Sequence, residues 1–380
     1  MKYSIRGAHP TYIFIYLVLD NDPQLCIIMN MLTELKLKNF TRFQNHTFRF
    51  SPKLNVFIGE NGAGKSHLMK LLHANLRALN KNKNSPSTFS KTYLETTIAN
   101  RLKGVFMPDS LGRLAMRMRG HARAEVEMTI RKSSKINLSY NFSTKAASAV
   151  TVVEAPQESL SLQSVFIPTR EMLSIYPGFT SAYDSLQIPF DETWRDLADL
   201  LGRPLTKGPH AESTRALLEP LEQVMNGHVV TEFGRFYLKN NTGKLEAHLL
   251  AEGLRKIATL AHLIANKSLT KHSILFWDEP EANLNPKLIK LVAQTIISLS
   301  KNMQVFVSTH SLFLLRELYI IAQQEHSKNE YNYFSIAAQA DRSDVDVYTS
   351  HSLDGLEVLT SLEYQADQDN ALLELFSNGI

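Results

Sequence analysis

The run Gly59-Glu60-Asn61-Gly62-Ala63-Gly64-Lys65-Ser66 fits G-x-x-x-x-G-K-[ST] at every specified position, and it constrains the fold more than any other feature of the chain. Such a loop works only between a buried strand and a helix. Its glycines turn successive backbone N–H groups inward around a phosphate, and the helix N-terminus adds positive potential. The flanks have the required form. Leu54-Asn55-Val56-Phe57-Ile58 is a short apolar run of the kind a fully buried strand shows. Beyond the loop, Leu68, Leu71 and Leu72 share a face and predict a helix over Lys65–Leu79. Gly59, Asn61, Gly62, Ala63 and Gly64 then form the phosphate cradle. Lys65 reaches the β- and γ-phosphates of ATP, and the Ser66 hydroxyl is placed on Mg²⁺.

Ser273-Ile274-Leu275-Phe276-Trp277-Asp278-Glu279-Pro280 is the matching second half. Its apolar strand delivers two acids at the carboxyl end, where open α/β sheets bind ligands. Asp278 is placed to hold Mg²⁺ beside the phosphates, and Glu279 to polarise the attacking water. His310 directly follows a predicted strand over 304–308, so it lies at the same edge, where it bridges the γ-phosphate and the water. Taken alone, a histidine after a strand is more often a structural residue. Ala251-Glu252-Gly253-Leu254-Arg255-Lys256 opens a helix near Gly253, and a helix N-terminus beside a glycine is a further anion site.

These motifs are spread through 380 residues, enough for two domains or for one large domain with an inserted lobe. The single cysteine, Cys26, excludes an internal disulfide and a CxxC metal site, and fits a reducing, cytoplasmic setting. An apolar run over 11–19 follows Lys2 and Arg6, but it is about half the length that spans a bilayer. It ends at Asp20-Asn21-Asp22-Pro23 without a small-residue cleavage site. Residues 1–30 are therefore expected to be an extension, a loose tail or the product of an upstream start, with no membrane partner. The fold is expected over 31–380 as one ATPase domain, with an inserted β and helical lobe inside 80–230.

Period-two runs at Leu35, Leu37 and at Phe48, Phe50 predict paired strands, with Asn45-His46 between them. Further strands are expected over 124–130, 136–142 and 164–167, helices at Glu192–Leu201 and Glu212–Met225, and a hairpin around Asn240-Asn241-Thr242-Gly243. Asn285-Pro286 opens a helix, and another follows over 312–321. Alternating strands and helices imply an α/β fold with a mostly parallel sheet. Residues 81–135 carry twelve Lys/Arg against four Asp/Glu, a net of +8 in a chain of +4. Arg113, Arg117, Arg119 and Arg123 are spaced to cluster there, which suits duplex DNA or an acidic protein partner.

Phosphate loop, helix-opening Gly253, acidic strand and His310, in this order, resemble the ABC-class ATPases. Ala-Glu-Gly-Leu-Arg-Lys at 251–256 and Asp-Glu-Pro-Glu-Ala-Asn-Leu-Asn-Pro at 278–286 are similar to the RecF/SMC/OLD-related branch, which includes AAA-family ATPases of bacterial defence. Asn39-Phe40 with Arg42-Phe43 matches the opening of that branch. The resemblance spans about 32–315 and implies an ABC-type ATPase head. It also implies a homodimer in which each signature helix caps the ATP held by its neighbour. Glu252, Gly253 and Arg255 are then nucleotide-facing, although the signature serine of transporter ATPases is missing here. Pro168-Thr169-Arg170-Glu171 stands where a glutamine loop is usual, with Gln163 as the other candidate. The function implied is an ATP-driven switch acting on DNA or on an effector such as a nuclease, in phage defence or DNA maintenance. A transporter-type subunit and an ATP-locked scaffold are the alternatives. Asp341, Asp344 and Asp346 are read as a loop entering a strand rather than as a nuclease centre.

Overall fold

A computed structural model describes residues 31–80, 89–116, 122–131, 134–325 without 187, 206, 207 and 209, then 330–338, 344–353, 355–356, 368 and 370–371. The expected extension over 1–30, the charges of 81–88, and Arg117, Arg119 and Asp341 lie outside these residues.

The phosphate loop joins β3 (Leu54–Ile58) to α1 (Lys65–Leu79). Strand β3 lies inside a six-stranded sheet with β7 (Gln163–Ile167), β11 (Ser273–Asp278), β12 (Gln304–Thr309), β13 (Tyr331–Ala338) and β14 (Val345–Ser350). The order is β14-β13-β3-β12-β11-β7, and every pairing is parallel except β13 with β14. All five parallel strands therefore point their carboxyl ends at one edge.

Successive residues on these strands face opposite sides of the sheet. On one side Val56, Val165, Leu275, Val305 and Tyr333 meet α4 (Glu192–Leu201), α5 (Glu212–Met225), α6 (Glu252–Ala265), α7 (Pro286–Ser300) and α8 (Leu312–Gln324). On the other side a phenylalanine stands on each of five neighbouring strands: Phe334, Phe57, Phe306, Phe276 and Phe166. Phe306 stacks on Phe276 with centroids 4.9 Å apart, and Phe57 lies 5.2 Å from Phe334. Over this aromatic layer pack α1, α2 (Lys91–Phe106) and an antiparallel sheet of order β2-β1-β4-β5-β6. Those strands are β1 (Met31–Phe40), β2 (Phe43–Arg49), β4 (Arg123–Arg131), β5 (Lys135–Ser143) and β6 (Thr151–Glu154). Phe50, just past β2, packs edge-on against Phe306 at 5.1 Å. A third sheet, β8 (His228–Glu232), β9 (Arg235–Asn240) and β10 (Gly243–Glu246), leads into α6. The α/β class, the mostly parallel sheet with flanking helices, the antiparallel β unit and the inserted helices all agree with the sequence.

Several local expectations change. The first two strands turn at Thr41-Arg42, where Asn39 and Thr41 take positive φ (52° and 49°). Asn45 and His46 lie inside β2, paired with Lys38 and Leu37. Helix α2 was hidden in the basic stretch. Its side chains Leu94, Ile98, Leu102 and Val105 are buried at helical spacing, and the Ser90 hydroxyl caps it by accepting from the Tyr93 N–H. Strand β13 also escaped the period reading, because both its faces are covered. Asp344 directly precedes β14 and Asp346 lies within it, as the strand reading requires.

A buried polar cluster binds α4 to the rest. Asp196 of α4 accepts from Arg77 of α1 at 2.5 Å, lies 3.0 Å from His73 Nε2, and accepts from Arg101 of α2 at 3.2 Å. His73 Nδ1 lies 2.7 Å from the Ser164 hydroxyl. At the other end of α4, His262 and Asn266 of α6 hold the carbonyls of Leu201 and Leu200 at 3.0 and 2.9 Å. Burial alone would raise the Asp196 carboxyl; the His73 hydrogen bond and the Arg77 and Arg101 charges win and hold it below its usual range. Asp196→Ala strands the Arg77 guanidinium and leaves Arg101 to Glu192 alone, and breaking a buried charged network costs ~3–5 kcal/mol. Calorimetry should therefore show a large fall in melting temperature at pH 7. Because the folded pKa is depressed, this stabilisation is present above the unfolded value of about 3.9 and fades as pH falls below it, so the mutant and parent should converge in acid.

Candidate nucleotide site

At the carboxyl edge the phosphate loop opens with Gly59, where an added Cβ would lie 2.2 Å from the Ile336 carbonyl oxygen of β13. Gly64 caps α1 at φ 101°, a conformation that side chains resist, with the Phe43 ring 3.1 Å from any added Cβ. Between them Ala63 is buried, Asn61 and Gly62 are exposed, and Arg42 donates to the Gly62 carbonyl at 2.8 Å. Lys65 is 5% exposed and folds back on its own loop, donating to the Gly59 and Glu60 carbonyls at 2.7 and 2.8 Å. Burial lowers its pKa, against the opposing charges of Glu279, Asp278 and Glu281.

Strand β12 separates β3 from β11, and its hydroxyls brace the acids. Asp278 Oδ1 accepts from Ser66 at 3.0 Å and also from Ser308. Burial raises the Asp278 carboxyl, opposed by those two hydrogen bonds. A buried carboxylate in contact with a serine hydroxyl at the foot of a phosphate loop is an all-oxygen donor set suited to Mg²⁺, whose charge would favour the anionic form.

Glu279 sits in the left-handed region at φ 46°, held by its N–H on the Ser308 carbonyl at 3.0 Å. Its Oε1 lies 3.1 Å from His310 Nδ1. Lys256 of α6, 3% exposed, donates to the carbonyls of Glu279 and Ala282 at 3.3 and 2.8 Å. Ser66, Asp278, Glu279, His310 and Lys65 thus converge at one edge.

The signature residues face elsewhere. Gly253 packs so tightly on the loop after Glu279 that a Cβ would meet Leu284 at 2.7 Å. Glu252 is partly exposed at the N-terminus of α6, and Ala251 supplies no side-chain cap. An open cavity of about 710 Å³ lies before this helix end, lined by Gln223, Ala251, Gly253, Asn283, Asn285 and Lys287. Arg255 turns away from it, pairing with Glu171 at 2.7 Å and donating to the Leu250 carbonyl at 2.5 Å. Gln163 starts β7 beside Ser273, at the sheet's opposite edge, so it does not reach the nucleotide loop; the segment 168–171 does follow the carboxyl end. Glu281, Thr309 and Ser308 were missed in the sequence, where the only signal was hydroxyls and an acid at the ends of otherwise apolar strands.

The basic stretch divides its charge. Arg101 is taken by Glu192 and Asp196, and Arg113 pairs with Asp109. Glu125 and Glu127 of β4 pair with Lys38 and Lys36 of β1. Arg123 donates to Asn141 at 2.8 Å.

Comparison with known proteins bears on the fold. A family model of an AAA domain, described for the AbiEii toxin of type IV TA systems, matches residues 146–316, and a second AAA-domain model matches 34–169. No curated protein matches the chain. Among solved structures, an Smc head bound to the C-terminal winged-helix domain of ScpA aligns at TM-score 0.53 and 14% identity, over 85% of this chain and 98% of its own. An Smc head with an extended coiled coil, bound to the C-terminal domain of ScpA derived from Pyrococcus furiosus, aligns at 0.50 and 12% identity, over 90% and 100%. At such identities the likeness is one of fold. Among the described residues no helix is long and apolar enough to cross a membrane.

Proposed function

We propose that this chain is an ABC-class P-loop ATPase of the SMC/RecF type, which hydrolyses Mg-ATP and works as a switch that dimerises on ATP. The observation that carries the reading is the meeting of Ser66 with Asp278 and of Glu279 with His310 beside one buried lysine. Lys65 exchanges the Gly59 and Glu60 carbonyls for the β- and γ-phosphates. Ser66 and Asp278 are the residues that would hold Mg²⁺, which supplies charge neutralisation on the phosphates when bound. Glu279 takes a proton from the attacking water, and His310, on the same carboxylate, orients that water and the γ-phosphate.

Closure joins two copies. The cavity before α6 presents the Gly253 N–H and the helix dipole, with Asn283, Asn285 and Lys287 at its rim, to the nucleotide of a second subunit. Its width without a partner is what a trans-acting site needs. What the switch gates is duplex DNA or an effector protein such as a nuclease, in defence or DNA maintenance. Internal pairing of Arg101 leaves the DNA reading to the remaining basic residues of the stretch, Arg117, Arg119 and Arg123 among them. Light scattering with and without ATP tests the switch: the mass should double with ATP, and a monomer under both conditions retires the dimer.

A further inference from the structure

Glu281 follows Glu279 by two residues yet has no part in the steps above. It is 6% exposed. Its Oε1 accepts from the Thr309 hydroxyl, while Oε2 is buried and meets no hydrogen-bond donor. A buried carboxylate left half satisfied is costly, so its place in the loop calls for a reason. Thr309 shows what the contact does. It is fully buried, donates to Glu281, and accepts from the Ser311 N–H at 2.9 Å. Its hydroxyl therefore ties the peptide that follows His310 to the anchored side chain that precedes it. His310 itself is half exposed and stands 3.1 Å from Glu279.

Strand alternation completes the arrangement. Ser308 and Thr309 point to opposite faces of the sheet, and each clasps an acid at or just beyond the end of β11, Asp278 on one side and Glu281 on the other. Lys256 approaches the second side, and Glu281 supplies the strongest of the attractive charges around its ammonium group. The loop that carries Glu279 is thus gripped from both faces.

We propose that Glu281 is a positioning residue for ATP hydrolysis: through Thr309 it fixes the backbone around His310 and keeps the imidazole on Glu279. This rests on the ATPase reading above. Thr309→Val and Glu281→Ala should each lower kcat by about 10–100-fold, as loss of an orienting partner does, with KM for ATP within about twofold. Thr309→Ser should restore turnover. Adding Thr309→Val to His310→Ala should cost nothing further, since both remove the same element. Where Glu281→Ala does not fold, the near-isosteric Thr309→Val carries the test. NMR of the His310 imidazole reads the placement without turnover; its signal should move in Thr309→Val and return in Thr309→Ser. Wild-type protein that fails to hydrolyse ATP retires the ATPase reading, and the NMR arm still decides the placement. Additive losses, unchanged kcat in Thr309→Val, or a stationary His310 signal would overturn the proposal.

Discussion

Lys65→Ala protein should bind ATP at least about 10²-fold more weakly than its parent. Each hydrogen bond to a charged group contributes ~1.5–3 kcal/mol net, and an ammonium carries three donors. Two such bonds to phosphate oxygens amount to ~3–6 kcal/mol, or about 10²–10⁴ in affinity at ~1.4 kcal/mol per decade. The lower end is expected here. Lys65 already satisfies two carbonyls and is already desolvated, so part of the gain on binding is an exchange of acceptors. Removing it also leaves the Gly59 and Glu60 carbonyls for water, which favours a looser loop and weakens binding again. Isothermal calorimetry with ATP is the measurement; equal affinities in mutant and parent retire the phosphate-loop reading.

Glu279→Gln should separate binding from chemistry. Glutamine keeps the shape and the left-handed backbone, since the restraints on that backbone are the Glu279 N–H on Ser308 and Lys256 on the Glu279 carbonyl. It removes the base, so turnover should fall by about 10²–10⁴-fold, with ATP affinity within about threefold by the same calorimetry. If hydrolysis is what ends closure, the mutant accumulates as an ATP-bound dimer visible by light scattering. A mutant that turns over at the parental rate moves the base elsewhere.

The site was legible where chemistry demands a fixed spacing. A phosphate loop cannot move its lysine or its glycines, and the acids must end an apolar strand, so Lys65, Asp278 and Glu279 could be named without coordinates. Parts that depend on the meeting of distant segments could not. Nothing in the sequence sets Thr309 against Glu281, or sends Arg255 to Glu171, since those contacts exist only once β7, β11 and β12 lie side by side. Gln163 was drawn into consideration by residue type, and only strand direction shows which edge it occupies. Helix α2 was obscured by its charge. Arg101 reads as surface in the sequence, but it reaches a buried carboxylate on an element almost a hundred residues away.

The five stacked phenylalanines bear on how such a protein can change over time. They join strands separated by as many as 277 positions, from Phe57 to Phe334, into a slab whose rings neighbour one another from strand to strand.

 Phe57 and Phe334, paired rungs on neighbouring strands, mark that span. Replacing one ring with a smaller side chain opens a gap bordered by residues from other strands, so the remedy must arise far away in the sequence. Large-to-small mutations in this layer are therefore best tolerated when a distant partner changes with them. The ends of the same strands answer to a different rule. Ser308, Thr309 and Asp278 are the last one or two residues of rods that the slab holds still, and the loops beyond them contribute nothing to its cohesion. A lineage can rewrite those overhangs one residue at a time while inheriting, unaltered, the alignment that makes any chemistry there possible.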